Sequence, residues 1–417
     1  MSQLGEGREN SIKRKKLTKN LLIVGTVIAI IGSFFAGNIF AKYGYVMGPN
    51  GAEYSKVMKN IKDVDKYSAL FEVREDLNRL YDGELDDNAM LEGAIKGMTN
   101  ALKDPYTVFM NKEEYDKFME SNSGAFMGIG VYIALKDDKV TVDSPIEGGP
   151  AEAAGIKAGD VILAVDGEEI GNDQSKAVSL ISGVEKKAVK LTISRGDGEV
   201  FDVDVMRDTV KTVSVKGEMI DNEVGYIRLT SFDKDVSKDF NNMLKDFKAK
   251  GMKGLILDLR GNGGGYLTEA VNIASEFIPK GKTVTYTINK YDQKDVSSSV
   301  GGIAEGTPLV ILTDGLTASA SEVVTGALRD YDIATTVGTT TYGKGVVQLP
   351  FEIKSGIGGL KVTISKYYTP NGENINKKGI NPDYEVKLSE EDINRAYDRN
   401  SDPQFQKGLE VIKDRIK

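Results

Sequence analysis

The sequence predicts an α+β protein with four parts: an N-terminal transmembrane helix, a helical module, a small β-rich domain, and an α/β core with a mixed sheet. Three observations predict it. Leu21–Ala41 is an almost unbroken apolar run of 21 residues, long enough to cross a bilayer as a helix. Apolar residues then recur at three- and four-residue steps through 52–120. From Gly124 the period shortens to two between glycine turns, and after Asp208 strand-like and helix-like segments alternate.

Arg8, Lys13, Arg14, Lys15, Lys16 and Lys19 precede the apolar run, and only Lys42 follows it closely. The positive-inside rule then leaves residues 1–20 in the cytoplasm and everything after the span outside, giving a single-pass protein of the cell membrane. A cleaved signal peptide is the competing reading. Its apolar region is usually shorter, and Ile39-Phe40-Ala41 puts a bulky residue where cleavage wants a small one. A chain of 417 residues implies two or three folded units. The net charge of -8 offers no basic face to nucleic acid.

In the helical module, 42–123, Val57, Ile61, Val64, Leu70, Phe71, Val73, Leu77 and Leu80 mark one stripe. Asp87 is placed to cap a second helix with Met90, Leu91, Ile95 and Met98 on its buried face. Asp104-Pro105-Tyr106 breaks the pattern, and Asn111-Lys112-Glu113-Glu114 opens another short helix. Strands follow at Gly128–Ile133 and Lys139–Val142, then Gly159–Gly167, a helix near Asp173–Ile181 and a strand Val189–Arg195. Beyond 208, strands are expected at Val224–Leu229, Gly254–Leu259, Pro308–Thr313, Ala334–Val337, Val346–Ile353 and Val362–Tyr368. Helices are expected at Val236–Phe247, Leu267–Phe277 and Ala320–Leu328. The core thus runs from 208 to 388. The charged tail 389–417, with sparse apolar positions such as Leu409 and Ile412, reads as a surface helix.

The chain has no histidine and no cysteine. That excludes a Ser-His-Asp triad, a thiol nucleophile, a Cys/His zinc site and a disulfide. Ser319 lies where a buried strand turns into a helix, so unsatisfied N–H groups and the positive helix end favour developing negative charge there. The N–H of Ala320 can serve as one oxyanion donor. A second can come from the turn Gly261-Asn262-Gly263-Gly264-Gly265, with Gly264 as the donor expected. Lys344, between Gly343 and Gly345, is the residue able to take the serine proton once desolvation lowers its pKa. Gln348, four residues on, falls on the same side of the chain and can orient the amine without restoring its charge. Each has an ordinary reading too. Ser319-Ala320-Ser321-Glu322 is a capping box, Lys344 a solvated loop lysine, and Gln348 a solvated strand residue. The joint pattern favours a serine–lysine hydrolase.

Residues 124–207 resemble a PDZ domain of the bacterial protease-associated type, through Gly128-Ile129-Gly130, Gly149-Pro150-Ala151, and Gly159-Asp160-Val161 through Asp166-Gly167. In such a domain the backbone around Met127, Gly128, Ile129 and Gly130 makes a nest for a terminal carboxylate. Further segments extend the likeness: Asp104-Pro105-Tyr106-Thr107, Asp258-Leu259-Arg260-Gly261-Asn262-Gly263-Gly264-Gly265, Ala318-Ser319-Ala320-Ser321-Glu322, Gly343-Lys344-Gly345 and Gly379-Ile380-Asn381-Pro382. With them the chain resembles the C-terminal processing peptidases, or tail-specific proteases, from about Ala101 to Pro382. The resemblance implies a serine endopeptidase with Ser319 as nucleophile, Lys344 as general base and Gln348 as its orienting partner, and a PDZ domain that senses substrate C-termini. The chain departs at Thr317, where relatives often carry serine, and at Ser182, where an arginine often stands.

The implied partners are proteins or peptides with unstructured C-termini, with a homodimer as a candidate assembly; no cofactor or metal is expected. A catalytically inactive PDZ scaffold is the rival from another class. A penicillin-recognising enzyme is disfavoured, because Ser231-Phe232-Asp233-Lys234 lacks its companion motifs. Tyr266 stands where a dinucleotide fingerprint needs its third glycine.

Overall fold

The computed structural model describes residues 64–183, 185–196, 198–394 and 398–417. The expected span Leu21–Ala41, its basic flank, and Val57 and Ile61 lie outside the described residues. Among those described, no helix is long and apolar enough to cross a membrane. The chain divides into two units, Met1–Ala89 and Met90–Lys417.

Helix α1 (Val64–Leu80) has the expected helical stripe, but Leu70, Phe71, Val73, Leu77 and Leu80 are all exposed. Helix α2 (Asp87–Asn100) corrects two expectations. Asp86 is the capping residue, accepting the N–H of Asn88 at 2.9 Å and of Ala89 at 3.1 Å, and Asp87 is already helical. Leu91 and Met98 are exposed, with Met90 and Ile95 half-buried. The helix turns Glu92 towards Asn111 and Lys96 towards Glu114, so part of its apolar stripe faces outward. Strand β1 (Val108–Asn111) leads into α3 (Lys112–Asn122), which opens with the reciprocal Asn111/Glu114 capping box.

Strand β2 (Ala125–Gly128) precedes an antiparallel sheet made of β3 (Val131–Lys136), β4 (Lys139–Pro145), β5 (Val161–Val165), β7 (Ala188–Arg195) and β8 (Glu199–Met206). The short β6 (Glu168–Glu169) pairs with β5. Helices α4 (Pro150–Ala153) and α5 (Gln174–Ile181) accompany this sheet. Alternating Val140/Val142, Val189/Leu191/Ile193 and Val205 close its core with Ile129 and Ile162. Strand β2 itself pairs with β9 (Asp208–Lys211), where the chain leaves this region.

The core sheet runs β10 (Val215–Ile220), β11 (Val224–Leu229), β12 (Gly254–Asp258), β15 (Leu309–Thr313), β16 (Ala334–Gly338), β19 (Tyr384–Glu385). All neighbours from β11 onward are parallel, and β10 is antiparallel. Every residue of β12 and β15 is buried, as expected of strands covered on both faces. On one face lie α6 (Val236–Ala249), α7 (Leu267–Ser275) and α8 (Ala320–Asp330), with Phe240, Leu244, Ile273 and Val324 in the cluster. A second sheet orders β1, β18 (Gly358–Tyr368), β13 (Thr283–Asn289) and β14 (Lys294–Ser298), with β17 (Val346–Glu352) on β18. The hairpin β13–β14 carries no apolar run long enough to stand out in the sequence.

The C-terminal tail differs from its expectation. After the short α9 (Glu390–Asn394), helix α10 (Pro403–Arg415) buries Phe405, Val411 and Ile412 against Val224, Tyr226, Ile256, Val310, Leu312 and Val337. It covers the second face of the core sheet rather than decorating the surface.

Candidate active site

The parallel strands deliver three loops to one edge: the glycine turn after β12, residues 314–319 after β15, and residues 339–345 after β16. The C-terminal ends of parallel strands are where such sheets place their ligands. The loops are tied together by backbone. The N–H of Ala318 donates to the Asn262 carbonyl at 3.0 Å, as does the Ser321 hydroxyl at 3.0 Å. The N–H of Tyr342 donates to the Thr317 carbonyl at 3.0 Å.

Ser319 is the N-cap of α8 with φ 56 and ψ -114. Ordinary caps are extended, whereas this is a left-handed conformation costing a non-glycine residue on the order of 1–3 kcal/mol. A helix cap has no need of such strain; a serine aimed out of a strand–helix turn does. The capping box is present too, and its glutamate does more than cap. Glu322 is fully buried and accepts four hydrogen bonds. They come from the N–H of Ser319 (2.8 Å), the N–H of Lys344 (2.9 Å), the N–H of Gly343 (2.7 Å) and the Thr341 hydroxyl (2.5 Å). One buried carboxylate therefore holds the backbones of Ser319 and Lys344, 25 residues apart in sequence, on the same group.

Lys344 is half-buried. Burial pushes its amine below the ordinary lysine value and Lys361 pushes the same way, while Glu322 and Asp104 oppose. Its Nζ stands over the Tyr106 ring, 5.0 Å from the centroid, and makes no hydrogen bond to Ser319. The Asp104–Thr107 segment is fixed there by Thr107, which donates to Asp104 (2.7 Å) and accepts from the N–H of Thr363 (3.0 Å). Tyr367, almost fully buried, directs its hydroxyl at the Ser319 carbonyl (3.4 Å), and burial keeps that phenol protonated. Sequence reasoning gave Glu322 only its cap, passed over Tyr106 as part of a helix break, and did not single out Tyr367.

Gln348 is not joined to Lys344. Its Nε2 is buried without a partner, and Thr363 is its neighbour across the ladder. A register shift between Val347 and Gln348 interrupts the two-residue alternation that was expected to align Gln348 with Lys344.

The N–H of Ala320 is at the first position of α8, where helices leave donors unsatisfied. Gly264 (φ +104) packs so closely that a Cβ there would meet Ser319 Cβ at 2.8 Å and the Ala320 nitrogen at 2.9 Å. Its own N–H, however, donates to Asn262 Oδ1 at 2.9 Å. The glycine turn thus abuts the serine, but the expected Gly264 donor is engaged within the turn.

In the 124–207 region, Met127 and Gly128 belong to β2, and the N–H of Met127 donates to Glu120 Oε1 at 2.6 Å. The carbonyls of Ile129 and Gly130 accept from Ala151 (2.7 Å) and Ile146 (2.9 Å), pinning the turn. Beside Ser182, the Arg207 guanidinium donates to the carbonyls of Leu180 (2.6 Å) and Ile181 (2.8 Å) at the end of α5. Among the described residues no acidic cluster could hold a metal ion.

Comparison with known proteins places this chain in a family. A peptidase family S41 model matches residues 223–386, a PDZ domain model 141–195, and a model of the activating protease CtpB N-terminal domain 29–114. The chain is 35% identical over 377 residues to the carboxy-terminal processing protease CtpA of Bacillus subtilis, covering 90% of this chain and 78% of that one. It is 38% identical over 384 residues to a CtpA-like serine protease of Staphylococcus aureus, covering 90% and 74%. The solved structure of an S41 protease from Bacteroides fragilis shares the fold, with a TM-score of 0.52 at 18% identity over 79% of this chain and 90% of that one.

Proposed function

Because the chain belongs to the C-terminal processing peptidases of family S41 and is a serine-type peptidase, we propose that Ser319 is its nucleophile and Lys344 the base that activates it. The buried Glu322 carboxylate, shared by the N–H groups of both residues, is the observation that carries this reading. The depressed pKa of Lys344 supports it, since a neutral amine is what a base requires.

In this reading Ser319 Oγ attacks the scissile carbonyl as its proton passes to the neutral Lys344 amine. The tetrahedral oxyanion forms against the Ala320 N–H at the positive end of α8. The Lys344 ammonium returns its proton to the departing amine. Water then cleaves the acyl-enzyme with Lys344 again as base. The described state holds the Lys344 amine on Tyr106, so the side chain swings towards Ser319 before reaction. Gln348, whose amide nitrogen lacks a partner, is then free to donate to the neutral amine.

The PDZ domain captures the free C-terminus of unstructured substrates through the backbone of Met127–Gly130. The basic flank and length of Leu21–Ala41 support a single membrane anchor with the peptidase outside the cytoplasm. The test is cleavage of an unstructured protein with an apolar C-terminus by the full chain in detergent, fragments being identified by mass spectrometry. Ser319→Ala and Lys344→Ala should both abolish cleavage, and Lys344→Arg should not restore it, because guanidinium does not deprotonate. Cleavage by Lys344→Ala would remove the dyad; inertness of the wild-type chain would favour a PDZ scaffold.

A further inference from the structure

The S41 family match ends at residue 386, yet a buried arginine inside it is held by side chains from beyond that limit. Arg260 is 8% exposed and directly precedes the glycine turn. Its Nε and Nη2 donate to Asp258 at 2.9 and 2.7 Å, and its Nη1 donates to Gln404 Oε1 at 2.9 Å. Asp402 Oδ2 lies 2.8 Å from Nη1 as an ion pair without hydrogen-bond alignment. Gln404 is itself buried, and its Nε2 donates to the Val386 carbonyl at 2.8 Å. Asp402 Oδ1 meanwhile caps α10 through the N–H groups of Gln404 (3.0 Å) and Phe405 (3.2 Å).

The other end of this cluster is the serine loop. The Gly261 N–H lies 3.0 Å from both oxygens of Asp314. Asn262 spans from the Leu229 carbonyl (2.8 Å) to the Gly264 N–H (2.9 Å), and its own carbonyl takes the Ala318 N–H. Two sets of polar contacts therefore meet at the Arg260–Gly261 peptide: those of the Arg260 side chain with the first turn of α10, and those of Gly261 and Asn262 with the loop that leads to Ser319.

We propose that Gln404 and Asp402, at the N-terminus of α10, are positioning residues for peptide cleavage, fixing Arg260 and through it the Gly261–Gly265 turn beside Ser319. The inference rests on the reading of Ser319 as nucleophile. A role in holding the helix alone does not account for the contact. Phe405, Val411 and Ile412 already dock α10 in an apolar cluster, whereas a buried amide on a buried guanidinium adds direction rather than area. Burial works against the Arg260 charge, and the bonds and charges of Asp258 and Asp402 outweigh it, so the cation persists and needs every one of its partners.

The test uses the full chain with Gln404→Met, which keeps the volume and removes the acceptor, and Gln404→Glu, which keeps an acceptor. Gln404→Met should lower kcat about 10- to 100-fold, the scale at which a small displacement far from the chemistry acts. KM should hold, the melting temperature should fall because the buried guanidinium loses an acceptor, and amide exchange should quicken at Gly261–Gly265. Gln404→Glu should recover most of kcat. Wild-type kcat in Gln404→Met, or unchanged exchange in the turn, overturns the proposal. Residual cleavage by Ser319→Ala would instead strike the nucleophile assignment, and the exchange measurement would still decide whether α10 orders the turn.

Discussion

Replacing Glu322 by glutamine removes one of the two carboxylate oxygens that join the serine and lysine loops. Oε1 takes the Thr341 hydroxyl and the Gly343 N–H; Oε2 takes the N–H groups of Ser319 and Lys344. An amide can keep an acceptor at one of these places only, and its NH2 then faces donors at the other. With the amide oxygen at Oε1, the Ser319 and Lys344 N–H groups both lose their partner in a site closed to water. Hydrogen bonds to a charged group contribute about 1.5–3 kcal/mol each, so the loss is about 3–6 kcal/mol, shared between folding and the geometry of the site. If about 3 kcal/mol of it falls on the transition state, kcat drops roughly 10²-fold. A second readout separates geometry from charge. Glu322 raises the pKa of Lys344, so removing its charge should move the acid limb of the remaining kcat/KM profile to lower pH. The assay is steady-state cleavage of an unstructured peptide across pH, beside thermal unfolding of the same variant. Wild-type kcat with an unmoved profile would refute the clamp, whatever happened to the melting temperature.

For the unmodified chain, the rate should climb with pH along one ionisation below the ordinary lysine value, because the amine becomes a base only as it loses its proton; a flat profile through that range would remove Lys344 from the role. Gly264→Ala should cost roughly 10²-fold in kcat, since its Cβ would stand 2.8 Å from Ser319 Cβ at a backbone angle of +104°; an active Gly264→Ala enzyme would show that the turn does not shape the serine's surroundings. Amidating a substrate's C-terminus removes the charge that the Met127–Gly130 backbone is proposed to bind and should raise KM; equal handling of acid and amide would mean the PDZ domain reads something else.

What was legible in the sequence was local. Val224–Leu229 read as a strand, and Gly254–Leu259 and Pro308–Thr313 as buried strands, because strands covered on both faces read as continuous apolar runs. Ser319 and Lys344 stood out because a chain without histidine has few ways to deprotonate a serine. The errors came from local geometry and from packing that composition alone does not show. Asp87 lost the cap to Asp86, which stands one residue earlier and takes the N–H groups of Asn88 and Ala89. The alignment of Gln348 with Lys344 assumed a regular strand, and a bulge intervened. The tail looked peripheral because Phe405, Val411 and Ile412 are sparse among charges, yet Phe405 and Ile412, seven apart, lie on one helical face, and Val411 is buried beside it.

The residues that sequence reasoning undervalued share a physical character: each is polar, buried, and satisfied by partners far away in the chain. Glu322 reaches residues up to 22 positions distant, Arg260 reaches Gln404 at 144, and Thr107 meets Thr363 at 256. An apolar side chain declares its burial by its chemistry. A glutamate or arginine declares the opposite, and only the fold can supply the partners that make its burial affordable. Such groups tolerate little displacement, because a donor moved out of reach is left unpaired where water cannot replace it. In this molecule such groups converge on Ser319, whose backbone is strained at φ 56, and on the glycine turn beside it. The Lys344 side chain, by contrast, ends in an amine that stands over the Tyr106 ring without a hydrogen bond to Ser319. If Ser319 is the nucleophile and Lys344 the base, as proposed, substrate arrival can complete the site by moving one side chain, leaving the strained backbone where folding put it.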